Sequence, residues 1–238
     1  MWWSMVWLAA FAGDGFDHEY AAFASFLSGA VSDSGVAYDT LAGRRELLDQ
    51  HLSAIAAADV DSFSRAQKLA FYVNAYNGYT LKLILDERPK SIRDLDGGDV
   101  WKVRKWAVAG GMLTLDQMEH THARQLADGR VHAVVNCASK GCPPLPPKPL
   151  RASGLESQLD QAARRWVRTN AFVQDGGTVR LNKIFDWYAT DFTKWATEDL
   201  AAADDKQDAA IGFLRAYGGE VAAEAVAWNP YDWSLNQR

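Results

Sequence analysis

The chain has 238 residues, 48% of them hydrophobic and 23% charged, a globular balance that excludes a disordered or low-complexity scaffold. Its net charge of −5 lacks the basic excess that a nucleic-acid backbone or an anionic membrane surface requires. No apolar run approaches the ~20 residues that cross a bilayer, and only two cysteines, Cys137 and Cys142, are present, too few for a multi-bridge framework.

The opening stretch from Met1 to Ala12, with Trp2, Trp3, Trp7 and Phe11, is apolar over the length of a signal h-region, and Ala10-Phe11-Ala12 has the small-residue character of a cleavage site. No Lys or Arg precedes it. Residues 1–17 are therefore set apart as an apolar N-terminal segment, a signal remnant or a stretch docked on the domain, and residues 18–238 are taken as a single domain. Export to the periplasm or beyond and a cytoplasmic location both stay open.

Helices are predicted over His18–Ala30 and Thr40–Ala58, with the loop Ser32-Asp33-Ser34-Gly35 between them. A longer helix runs from about Ser64 to Asp86, where Leu69, Tyr72, Val73, Tyr76, Leu83 and Ile84 recur at helical spacing and Pro89 ends it. Asn74 and Asn77 lie one turn apart on it. Trp101–Leu113, broken by Gly110-Gly111, reads as two short strands, and Thr114-Leu115-Asp116-Gln117 is a capping box that starts a helix to about Ala127. Val131–Asn136 reads as a short apolar strand. Five prolines then make Cys137–Leu150 a fixed loop, because they remove donors and lock φ. An amphipathic helix follows Ser153, carrying Leu155, Leu159, Ala162, Ala163 and Trp166. A hairpin turns at Asp175-Gly176-Gly177, and helices near Phe185–Ala196 and Asp208–Tyr217 precede a tail from Tyr231 to Asn236.

The stretch from His132 to Leu145 is the richest in chemistry, with two thiols beside a rigid loop. A cysteine acts as a nucleophile when N–H groups, a cation or an imidazolium stabilise its thiolate and a histidine takes its proton. Cys137 precedes four residues with free N–H groups, Ala138 to Gly141, and the cation Lys140. Cys142 is followed by Pro143 and Pro144, which have none. Cys137 is thus the preferred nucleophile, against the alternatives of a buried or disulfide-linked pair.

A straight strand would hold His132 about 16 Å from Cys137, at ~3.3 Å per residue, so the strand ends early and the loop bends back, or His132 meets Cys142 as the chain returns, or the base comes from the helix of Glu119, His120 and His122. On a 100° wheel, Leu115, Met118, His122 and Leu126 face inward, Glu119 lies at the edge of that stripe and His120 points the other way. Glu119 is a candidate to orient an imidazole. Asn74 and Asn77 are poor helix formers kept inside a helix, for a plain interhelical hydrogen bond in the first instance, or else to hold the loop after Cys137 or to donate to an oxyanion. A zinc site built on both cysteines and two histidines is a weaker alternative. Trp187, Tyr188 and Phe192, with Asp186, Asp191 and Lys183, read as core with a charged rim or as the wall of a cleft.

These motifs have a known counterpart. The run from Gln67 to Asn77, the element from Leu113 to Arg124 with Asp116, Glu119, His120 and Arg124, the segment from His132 to Cys142-Pro143-Pro144-Leu145, and the blocks Ile184–Tyr188, Asp191-Phe192 and Tyr231–Asn236 together resemble the domain of unknown function 547 family, from about His18 onward. The resemblance implies a papain-like or transglutaminase-like thiol fold: an α+β, helix-rich domain around a small, mostly antiparallel sheet. The expected activity is a thiol-dependent hydrolase or acyl transferase acting on an amide or thioester, with a peptide or small amide or thiol substrate and no cofactor. The candidate catalytic residues are Cys137, His132, Glu119, His120 and Cys142, and the oxyanion or substrate-binding residues are Asn74, Asn77, Asn136, Ala138 and Ser139. A non-catalytic binding module with a structural cysteine pair is the first alternative and a structural zinc domain the second. Oligomeric state is not readable.

Overall fold

A long buried helix organises the protein. In a computed structural model, which describes residues 15–196, 205–222 and 225–238, this helix is α4 (Arg65–Glu87), preceded by α1 (Ala21–Leu27), α2 (Tyr38–Ala42) and α3 (Arg45–Ala57). Most of residues 1–17 lie outside the described part. Ser64 caps α4 in both directions: its Oγ accepts from the Gln67 N–H and the Gln67 Oε1 accepts from the Ser64 N–H, satisfying donors a helix start leaves open. From Leu69 to Leu85 nearly every side chain is buried, as befits a helix apolar on all sides. A Cβ at Gly78 would sit 3.1 Å from both the His51 ring and Leu52, so this glycine sets how closely α3 approaches α4. The expected helix over Thr40–Ala58 is broken at Gly43-Arg44 into α2 and α3.

Strands are few and local. β1 (Val31–Ser32) and β2 (Gly35–Val36) form a minimal hairpin, and the short helix α5 (Val100–Val103) leads into β3 (Lys105–Val108) and β4 (Gly111–Thr114). β3 and β4 pair antiparallel, with Val108 opposite Gly111. Their turn residues, Ala109 and Gly110, both have positive φ, the geometry whose twist suits a two-residue hairpin. β5 (Phe172–Asp175) and β6 (Thr178–Leu181) pair antiparallel, and β7 (Ala225–Trp228) adds parallel to β6. The strands form three separate small sheets rather than the single sheet expected. The fold is helix-rich α+β with mostly antiparallel pairing, and nothing in it is specific to a papain-like peptidase.

Two apolar clusters hold these elements. The first packs α1, α3 and α4 through Phe23, Phe26, Leu48, Ile55 and Phe71. The second centres on Trp166 of α7 (Leu155–Thr169), stacked on Phe185 of α8 (Lys183–Trp187) at 4.6 Å, with Phe192 and with Phe213 of α9 (Asp205–Ala216). The helix expected over Phe185–Ala196 is α8 followed by a 3₁₀ segment, Ala189–Trp195.

Two further expectations are corrected. The segment Val131–Asn136 is not a strand. It belongs partly to a 3₁₀ turn, Gly129–Ala133, and Asn77 of α4 bonds both Val134 O and the Asn136 N–H (2.8 and 2.9 Å), so those backbone groups are already paired. The helix after Thr114 begins with the expected capping box, but Gln117–Ala123 is a π-helix that continues into the short helix α6 (Arg124–Leu126). The Arg124 N–H reaches Glu119 O, five residues back. Such a helix turns through less than 100° per residue, which undoes the wheel that pointed His120 away from the inward stripe.

Candidate functional site

A cavity of about 300 Å³ opens where the π-helix, the 3₁₀ turn, α4, α8 and the chain end converge. All five candidate catalytic residues line it. Glu119 and His120 come from the π-helix and His132 from the 3₁₀ turn, while Cys137 and Cys142 meet along one wall. Tyr76, Trp101, Trp187, Tyr188, Tyr231 and Trp233 supply most of the remaining surface.

The two cysteines form a disulfide, with Cα atoms 6.4 Å apart, and no free cysteine is present among the described residues. This overturns the expected thiol nucleophile, and with it the hydrolase or acyl transferase, the catalytic triad and the choice between Cys137 and Cys142. A sulfur bonded to another sulfur has no thiolate to attack with. The zinc alternative fails on the same bond, since metal-ligating sulfur must be a thiolate. Among the described residues no cluster of three or more His, Cys, Asp or Glu side chains is placed to hold a metal. The pair is well bedded. The Cys137 N–H and the Tyr231 hydroxyl both donate to the Cys142 sulfur, at 3.1 and 3.2 Å.

Of the N–H groups expected to hold an oxyanion, those of Ala138, Lys140 and Gly141 are engaged within the protein. The Ala138 N–H bonds Asn136 Oδ1, the Lys140 N–H bonds Ser234 O and the Gly141 N–H bonds Asp232 O. Ala138 itself has φ +63°, an uncommon conformation for a residue with a Cβ, and its carbonyl accepts from the Asn236 N–H. Ser139 is buried and bridges to Leu235 of the tail. Asn136 also donates to Pro143 O and accepts from Asn236 Nδ2. Asn74 exchanges two bonds with Leu150, 2.8 and 2.9 Å. The three asparagines thus tie the proline-rich loop to α4 and to the tail. Replacing Asn77 by alanine strands a buried carbonyl and a buried N–H, and is expected to cost about 2 kcal/mol, readable as a lower urea midpoint at unchanged slope.

Behind the cavity lining, Asp191 holds a polar cluster that includes the lining residue His132. Its carboxylate accepts from Arg124 Nε and Nη2 (2.7 and 3.0 Å) and contacts His132 Nε2 at 2.8 Å. Burial pushes the Asp191 pKa up, but the bonds from His132 and Arg124 outweigh it and hold the carboxyl well below its usual range. The His132 ring is buried and stacks on Tyr188 at 4.1 Å. Arg124 also lies over the Tyr188 ring (4.9 Å) and donates to His120 Nδ1. That bond leaves the His120 proton on Nε2, 3.6 Å from Asp116. His122 is not in the cavity lining; it stacks on Tyr72 at 4.1 Å.

Glu119 is different in kind. It is 7% exposed, the only buried carboxylate among the described residues. Its charge, after burial itself, helps push the Tyr76 and Tyr188 hydroxyls well above their ordinary pKa. Burial likewise raises Tyr231, with Tyr188 and Glu119 adding to it. Three phenols therefore present fixed, protonated hydroxyls. At the mouth, Tyr231 packs on Trp233 and Trp187 (4.5 and 4.8 Å), Trp187 stacks on Trp233, and Trp101 meets Trp233 edge-on.

Sequence reasoning named Asp191 only as rim and gave no role to Arg124, Tyr76, Tyr231 or Trp233. A usable signal for Arg124 was its place four residues after His120, within side-chain reach on one helix. None linked it to Asp191, 67 residues further on.

Residues 60–167 match the model of a family described as "Protein of unknown function, DUF547", just under half of the chain. No curated protein and no solved structure matches it. The matched segment carries Tyr76, Glu119, His120, His132 and both cysteines. The aromatic mouth formed by Trp187, Tyr231 and Trp233, together with Asp191, lies beyond it.

Proposed function

We propose that the protein is a non-catalytic binding module whose aromatic cleft takes a small organic ligand, with Cys137 and Cys142 as a covalent staple in its wall. The disulfide is the observation that carries this reading: it removes the reactive group from the cavity and leaves the rest intact. A mostly apolar concavity with a few converging polar groups is the usual form of a small-molecule site. Trp187, 46% exposed, is a large apolar surface held at the opening with no core to fill, as a ligand platform requires. No helix among the described residues is long and apolar enough to cross a membrane, so the cleft is not offered between membrane spans of that kind. Staples of this type persist in oxidising compartments, and the proposal carries export with it.

A ligand-observed NMR screen of aromatic and alicyclic fragments tests the reading. Hits are expected to bind about fivefold more weakly to Trp187→Ala, the equivalent of roughly 1 kcal/mol of ring contact. A screen without hits, or hits indifferent to Trp187, would sink it. The staple has its own signature. The double variant Cys137→Ser/Cys142→Ser should lose about 2 kcal/mol of stability, the chain-entropy value for so short a loop, while hit affinities stay within about threefold. Iodoacetamide should label neither wild-type cysteine until a reductant is added.

A further inference from the structure

The charges around the cleft do not balance. Asp191 is neutralised by the Arg124 fork, Asp128 by Arg130 and Lys194, and Asp186 by Lys183 and Lys206. Glu119 lies deeper than any of these and makes no ion pair among the described residues. Arg124, the nearest guanidinium that feels its charge, is spent on Asp191 and His120. Apart from His120 and His132, which contact Asp116 and Asp191, the ionisable acids and bases lining the cavity are Asp116, Glu119 and the exposed Lys102.

A buried carboxylate without a cation is costly; Tyr76 and Tyr188 hydrogen-bond Glu119, but neither neutralises its charge, and it lines the cavity. Tyrosine and tryptophan side chains line that cavity. The π-clouds of tyrosine and tryptophan carry negative potential and attract a cation placed over them, most strongly when water is excluded. Tyr76 and Tyr188 reach the carboxylate through their hydroxyls, with His132 and Arg124 already against the Tyr188 ring, so ring contact with a ligand falls mainly to the half-exposed Trp187 and its neighbours at the mouth. Arg93 already lies over the outer ring, Trp233, at 4.9 Å, which shows the same attraction at work on the rim.

We infer that the cleft selects an organic cation, an ammonium group carried on an apolar body, with Glu119 as its counter-charge and the aromatic walls around its methylene or methyl groups. The inference rests on the cleft being a ligand site and names the chemistry of that ligand. A primary ammonium would donate to the Glu119 carboxylate. A quaternary one would rely on the ring faces and the carboxylate charge alone.

Calorimetric titration of the full chain with five probes decides the matter: phenethylamine, benzyltrimethylammonium, phenethyl alcohol, phenylacetate and methyl α-glucoside. The two cations are expected to bind about tenfold or more tightly than the alcohol, and phenylacetate least. Glu119→Gln keeps the side-chain shape and should erase the preference for cations while the affinity for the alcohol holds. Equal binding of cation and alcohol, or preferred binding of the glucoside or the carboxylate, overturns the inference and leaves the binding module standing. A cation preference that survives Glu119→Gln overturns the role given to that residue. Silence from all five probes overturns both proposals. Should Glu119→Gln not fold, the wild-type series together with Trp187→Ala still separates these outcomes, since a cation held by the rings must weaken when one is removed.

Discussion

Removing the Asp191 carboxylate, as Asp191→Ala, should cost about 3 kcal/mol of folding stability, the low end of the range for breaking a partly buried ion pair. The physical reason is what is left behind. Arg124 and Asp191 are each about one-fifth exposed, while His132 is 2% exposed. Without Asp191, a guanidinium and a sealed imidazole lose their acceptor together, and both line up against the same Tyr188 ring. The loss should exceed that of removing any surface pair such as Arg88 with Asp39, which is largely solvated and worth about 0–1 kcal/mol.

The same carboxylate predicts a pH dependence whose sign can be worked out. Its folded-state pKa is depressed below the unfolded value of about 3.9. The unfolded chain therefore binds the proton first, and stability falls with falling pH. The contribution is complete above about pH 4 and is lost as the pH drops towards and through the folded-state value. Wild-type stability, followed by denaturant titration between about pH 5 and 2, should decline more steeply than that of Asp191→Ala. Parallel curves would show that Asp191 is not the group being protonated.

Phe192→Ala is expected to be the most damaging single substitution of those considered, at about 4 kcal/mol, since truncating a buried phenylalanine leaves a cavity as well as a lost transfer energy. Phe192 is wholly buried and touches Phe185, Phe213 and His132 at centroid distances of 4.7, 5.2 and 5.5 Å. It also seats the 3₁₀ turn. A Cβ at Gly129 would come within 2.7 Å of both Asp191 O and the Phe192 ring, so the turn that carries His132 lies directly on this residue. The variant should therefore weaken ligand binding as well as stability, because His132 and Tyr188 lose the surface they are packed on. Phe192→Leu fills part of the hole and should recover about half of the loss. A drop confined to stability, with fragment affinity unchanged, would show that the second core does not position the cleft.

Glu119, His120, His132 and the two cysteines were named from residue type and spacing, and the structure gathers all five at one cavity. Their chemistry was misjudged because the state of a thiol depends on what sits beside it. Five residues of separation permit a disulfide or a nucleophile equally, and only the folding back of the loop brings sulfur to sulfur. His120 was turned away from the inward stripe by a wheel that assumes α-helical bonding. The capping box at Thr114 was legible because it is made by neighbours in sequence. The π-bonding that follows it is not signalled by any local residue, and it alters which side chains share a face. Val131–Asn136 was read as a strand because a short apolar run suits any buried backbone. It is Asn77, from a helix 57 residues away, that takes its polar groups.

What the sequence by itself determined, then, is whatever neighbouring residues decide among themselves: the long apolar helix α4, the capping box, the glycine turns of two hairpins, and the irregular course of the proline-rich loop. What only the tertiary structure decided is every property that depends on residues far apart along the chain. The pairing of sulfurs, the shared carboxylate of Asp191, the parallel addition of β7, and the burial of Glu119 among tyrosines all belong to that class. Helix caps and turns are closed by bonds spanning a few residues, whereas the cleft is closed by chain segments whose meeting is set by how two apolar clusters pack.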